Sequence, residues 1–172
     1  MIKKWTKISV IFLLSLFVFN YLGLIVHEAG GHALAAKLLG AKVKKIKIAS
    51  RWNLLRFKTG KTVWEFNSLP LRGQVIHGGT LSWIKDLIVT FVGYPLEMLF
   101  FYLIYKLIKK KEENISPNYF IFEKSVFRWA IIFLMIITTI WNFPFLRSND
   151  FTHIAEVLIY GKRTHSLHLL PF

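Results

Sequence analysis

From Ile8 to Val26 the chain reads ISVIFLLSLFVFNYLGLIV, 19 residues without a charge. As a helix this run is about 28 Å long, enough to cross the hydrocarbon core of a bilayer. No water is available there to satisfy backbone groups, so the segment has to be helical. The run ends directly on HEAGGH, which carries two histidines and a glutamate to membrane depth. Polar side chains are costly there and point to function rather than packing. Leu87 to Tyr105 is a second apolar run, broken only by Glu97, and Trp129 to Leu146 is a third; each is flanked by Lys or Arg. These runs predict an α-helical polytopic membrane protein with a three-transmembrane-helix core, a single domain spanning 1–172. Its helices are expected at about 6–40, 82–108 and 126–146, with a short C-terminal helix at about 150–160. The basic start and the Ala33–Ala35 stretch imitate a signal peptide, but the run is long for one, and cleavage there would discard the histidines.

The basic segment between the first two runs, about 41–79, predicts a small β-hairpin-like insertion. NLLRFKTGKTVWEF reads as a hairpin turning at Thr59-Gly60, with Leu55 opposite Trp64 and Phe57 opposite Thr62 on one face. Arg56, Lys58 and Lys61 fall on the other face. Such a hairpin suits a membrane surface, aromatics down and cations toward the headgroups. An irregular basic loop is the alternative. The alternating KKIKI and the hairpin pattern suggest that a strand of this basic segment could hold an unwound substrate by edge pairing.

The formal net charge of +14 raises the question of nucleic acid. The cations cluster beside apolar runs, as in KLIKKK and AKVKKIK, so anionic lipid headgroups are the expected partner and nucleic acid is not. Nine of the 23 basic residues fall on the N-terminal and second-loop side, and the other fourteen on the side of the histidines. The positive-inside rule therefore leans toward a cytoplasmic face for the histidines.

With no cysteine in the chain, any metal has to be held by His, Asp or Glu. We read His27, Glu28 and His32 as an HExxH motif, whose α-helical form stacks two imidazoles on one face to bind one zinc ion. Glu28 is then the general base for the attacking water. A catalytic zinc takes a third protein ligand, and Asp150, Glu156, His153 and His77 are the candidates. Asp150 is preferred, because Asn142 and Pro144 can break the third helix and turn the chain inward. His153 is an alternative ligand or a partner of one, and Asn142 and His153 are candidates to stabilise the oxyanion. Glu97, two residues after Pro95, reads equally as a protonated structural acid or as a group near the substrate path.

The chain resembles the site-2 protease family of membrane-embedded zinc metalloproteases, particularly its small bacterial members with a three-helix core. VHEAGGHALAAKLLG is similar to the family's first-helix motif, LPLRGQVIHGG to the glycine-bearing stretch before the second helix, FVGYPLEM to the Gly-Pro element, and NFPFLRSNDFTHI to the third-helix motif. The resemblance implies Zn2+ as cofactor, His27, His32 and Asp150 as ligands and Glu28 as the catalytic glutamate. It further implies regulated proteolysis of membrane protein substrates in a bacterial cell membrane. Two positions depart from the pattern: Phe151 and Thr152 stand where the family has glycines, and Glu97 stands near its asparagine. A non-catalytic zinc-containing membrane scaffold, or a partner-binding protein, is the alternative reading.

Overall fold

The computed structural model describes residues 2–79, 81–113 and 121–141. The chain enters through α1 (Ile2–Ile25) and passes without a break into a π-helical segment (Val26–Ala33) and a short α2 (Leu34–Leu38). Four strands follow, β1 (Lys42–Ile48), β2 (Ser50–Thr59), β3 (Thr62–Leu69) and β4 (Gln74–Gly78), and then the helices α3 (Trp83–Glu113) and α4 (Ile121–Trp141). Two continuous helical stretches are long and apolar enough to cross a membrane, Trp5–Leu38 and Trp83–Lys111. The apolar stretch of α4, Ser125–Ile140, is shorter. It packs against both, with Phe101, Ile131 and Leu134 buried beside Leu16 and Phe19. The expected end of the third helix beyond Trp141 and the expected short helix at about 150–160 lie outside the described residues.

The basic insertion is larger than a hairpin. Its strands form one sheet in the order β2-β3-β1-β4, with β1 parallel to β3 and antiparallel to β4. The hairpin β2–β3 exists, but its register is two residues away from the expected one. Leu55 faces Phe66, Phe57 faces Trp64 and Thr59 faces Thr62. The cause is the turn, which uses Gly60-Lys61 rather than Thr59-Gly60; Gly60 has φ +58°, the left-handed conformation glycine adopts without penalty. A shift of two preserves which face each side chain takes. The aromatic face therefore stands: Phe57, Trp64 and Phe66 stack nearly parallel, 6.0–6.3 Å apart. On the opposite face Glu65 pairs with Lys45 at 2.7 Å and with Arg56 at 3.5 Å.

β1 is interior to the sheet, with Ile46 and Ile48 fully buried against the helices. The suggestion that the KKIKI strand offers a free edge is therefore corrected: both its edges are already paired. Among the described strands the open edges belong to β2 and β4.

The sheet is tied to α1 by polar contacts at its turn end. Tyr21 donates its hydroxyl to Asn67 O at 2.9 Å, and Asn20 Nδ2 donates to Pro70 O at 2.5 Å. The Asn67 side chain, fully buried, donates to Ala49 O at 3.1 Å. That bond pins the one-residue link between β1 and β2, where Ala49 holds φ +70°. A non-glycine residue there costs about 1–2 kcal/mol, comparable to the bonds that Asn67 supplies.

Candidate metal centre

The spacing of the histidines sets the geometry. Ala29, Gly30 and Gly31 stand between Glu28 and His32, so the imidazoles are five residues apart and the pattern is HExxxH. The expectation of HExxH on a regular α-helix is corrected accordingly. At about 100° per residue, an α-helix would set such a pair about 140° apart around its axis, facing different neighbours. The chain resolves the mismatch with the wider turn of the π-helical segment, in which the Leu34 N–H reaches Ala29 O, five residues back. The two rings come together, centroids 4.7 Å apart and nearly perpendicular. Single π turns inside α-helices occur frequently at functional sites.

The outer nitrogens of both rings are engaged. His32 Nδ1 lies 2.6 Å from Val89 O on α3, and a carbonyl can only accept, so this nitrogen carries the proton. His27 Nδ1 lies 2.9 Å from Glu97 Oε2, also on α3, and is the donor of this bond when Glu97 is ionised. In neutral rings protonated at Nδ1, each Nε2 carries a lone pair, and the two Nε2 atoms face each other at 3.0 Å. Two lone pairs held at that distance repel unless a cation lies beside both. Two nitrogen ligands of one tetrahedral zinc ion stand about 3.3 Å apart, so a few tenths of an ångström of ring motion would accommodate one. Glu28 is buried beside the pair, and ligand atoms of His27, Glu28 and His32 all lie within 4.8 Å of one another.

Glycines make this closeness possible. A Cβ on Gly93 would lie 2.7 Å from His32 Nε2 and 2.8 Å from His27 Nε2, so its hydrogen leaves open the space beside the two facing nitrogens. A Cβ on Gly31 would lie 2.5 Å from Gly93 Cα, which marks a backbone-to-backbone crossing of the π segment and α3. A Cβ on Gly73, in the link between β3 and β4, would meet the Glu28 side chain, 2.5 Å from Oε1. The link therefore lies directly against the glutamate, and the open-edged β4 starts one residue later. Two imidazoles meeting at Nε2, an adjoining carboxylate and a cradle that a methyl group would fill fit a small divalent cation.

Of the residues singled out in the sequence, His27, Glu28, His32 and Glu97 come together. His77 lies elsewhere, 3.8 Å from Asp86 at the start of α3. Asn142, Asp150, His153 and Glu156 lie outside the described residues. The sequence reading missed Val89, whose contribution is a backbone carbonyl and leaves no trace in residue type. It also missed the individual roles of Gly73 and Gly93, although both fall inside stretches noted for their glycines.

Two helical stretches long and apolar enough to cross a membrane meet at a partly buried His–Glu–His group, a candidate metal centre of the metalloprotease type. Residues 5–148 match the Peptidase M50B-like family, and the chain belongs to that family. This agrees with the site-2 protease resemblance of its motifs, and places the chain among membrane metalloproteases. A search of curated proteins finds no match.

Proposed function

We propose that the protein is an intramembrane zinc metalloprotease that hydrolyses peptide bonds in membrane-associated or transmembrane protein substrates. The observation that carries this reading is the meeting of the two Nε2 atoms, 3.0 Å apart, with the Glu28 carboxylate beside them. His27 and His32 hold the ion, and Asp150 is the third ligand. When bound, zinc supplies Lewis acidity toward the scissile carbonyl and the attacking water. Glu28 takes a proton from that water and passes it to the leaving amine. Asn142 and His153 are the candidates to hydrogen-bond the negative charge developing on the carbonyl oxygen.

A helical substrate has its carbonyls engaged, so it has to unwind locally before cleavage. The open edge of β4, next to Gly73 and Glu28, supports pairing of the unwound segment as an added strand. The outer part of the sheet, where Leu55 and Phe57 are exposed, suits the bilayer interface, with Arg56 and Lys58 toward anionic headgroups. We take α4 as a third span, since its apolar side chains pack on those of α1 and α3. The distribution of basic residues favours a cytoplasmic active site, and the resemblance to small bacterial members favours a bacterial cell membrane.

The test is metal content and cleavage measured on one preparation in mild detergent. The expected result is about one zinc per chain, lost in His27→Ala. Glu28→Gln should retain the metal and lose cleavage of a transmembrane substrate. Equal cleavage by Glu28→Gln would remove Glu28 from the mechanism. A wild type that holds zinc without cleaving would favour the scaffold alternative, and a folded, chelator-free wild type without zinc would sink the enzyme reading.

A further inference from the structure

We propose that Glu97 is a positioning residue for the metal: its carboxylate fixes His27 with Nδ1 protonated and Nε2 presented to the ion. This rests on the metal reading above and extends it to an acid on a different helix.

Glu97 is 4 % exposed in the middle of an apolar helix. An acid there is costly unless it is paired or serves the site. Its two oxygens have distinct surroundings. Oε2 lies 2.9 Å from His27 Nδ1. Oε1 lies toward Gly23 of α1, where a Cβ would come within 2.9 Å of it. The same Cβ would lie 2.6 Å from Phe101 Cζ, one helical turn beyond Glu97. Gly23 and Phe101 thus shape a niche that seats the carboxylate and limits its rotation. Pro95 lies two residues before Glu97, inside α3.

The two imidazoles are treated unequally. His32 leans on a neutral acceptor, the Val89 carbonyl, which is built into the helix and cannot be lost by a side-chain change. His27 leans on an acid. A carboxylate behind an imidazole fixes the tautomer and raises the basicity of the nitrogen that faces the metal. His27 is therefore the stronger donor of the pair, and its strength depends on Glu97. A purely structural acid would need a hydrogen-bond partner but would have no reason to choose the outer nitrogen of a metal-facing ring.

The experiment uses the full chain in detergent and two variants, Glu97→Gln and Glu97→Leu. The first keeps the shape and an acceptor oxygen while removing the charge; the second removes both. Zinc affinity, measured by competition with a chelator of known strength, should fall about 10-fold to 100-fold in Glu97→Gln and further in Glu97→Leu. The cobalt-substituted forms should show a shifted visible spectrum. Nitrogen-15 histidine NMR of the metal-free protein supplies a readout independent of both metal and activity. The wild type should show His27 in one tautomer, protonated at Nδ1, and Glu97→Leu should show a mixture. Folded variants with wild-type zinc affinity and an unchanged His27 tautomer would overturn the proposal while leaving the protease reading intact. A wild type that takes up no metal would overturn both.

Discussion

The sharpest single-atom test of the metal centre is Gly93→Ala. The added methyl would lie 2.6 Å from His32 Cε1, 2.7 Å from its Nε2 and 2.8 Å from His27 Nε2, each inside van der Waals contact. Ring tips are ordinarily free to swing aside, but these two are tethered at Nδ1, to Val89 O and to Glu97. Relief therefore requires breaking one tether or separating the helices. Overpacking of this kind costs about 1–3 kcal/mol. If the cost falls on the liganded arrangement, zinc affinity drops by about 5-fold to 150-fold, at 1.4 kcal/mol per tenfold. Chelator competition measures it directly. Gly30→Ala is the control, because its Cβ would press on the flexible Leu96 Cδ2, at 3.1 Å, and otherwise make an ordinary contact with Val26 Cγ1 at 3.9 Å, so its affinity should stay near wild type. Gly31→Ala should behave differently again, loosening the fold itself, since its Cβ would strike the Gly93 backbone. Wild-type affinity in Gly93→Ala, or an equal loss in Gly30→Ala, would refute the cradle reasoning.

Chelation should lower the thermal midpoint of the purified protein, because an ion that binds only the folded state stabilises it by mass action; His27→Ala should show no further drop on chelation. Asn67→Leu leaves Ala49 O without its buried donor, so the sheet should lose about 1–3 kcal/mol, read as faster amide exchange in β1 and β2 than in α3. Successive residues in a strand point their N–H groups to opposite edges, so one of Val75→Pro and Ile76→Pro removes an outward N–H of β4 and leaves the β1 ladder intact. That variant should raise KM for a transmembrane substrate with zinc content unchanged; unaltered cleavage kinetics in both folded variants would count against edge pairing.

The apolar runs were legible because hydrocarbon permits so few backbone solutions: 19 uncharged residues before His27 leave little but a helix. The aromatic face of the hairpin was legible for a similar reason. Alternation fixes the face even when the register slips by two, as it did between Leu55 and Phe66. The sheet beyond the hairpin was not legible. β1 pairs in parallel with β3 across the intervening β2, and such a pairing is set by long-range packing of Ile46 and Ile48 rather than by any local turn. The partner of His32 was out of reach as well, since a backbone carbonyl at Val89 would serve equally well under many side chains.

The π turn unites these threads. An α-helix through residues 27–32 would have turned one imidazole away from α3, losing either the Glu97 or the Val89 contact. Keeping both requires the extra residue to be absorbed within the same stretch, and Ala29-Gly30-Gly31 is suited to that. Small side chains let the widened turn approach α3 until Gly31 meets Gly93 backbone to backbone. The helix therefore gives up regular α-helical hydrogen bonding where two apolar helices cross, and that is where the two imidazoles meet. Glycine weakens a helix by about 1 kcal/mol relative to alanine. Two adjacent glycines there are hard to explain by helix stability alone. They follow directly if the segment was shaped to bring His27 and His32 to one ion.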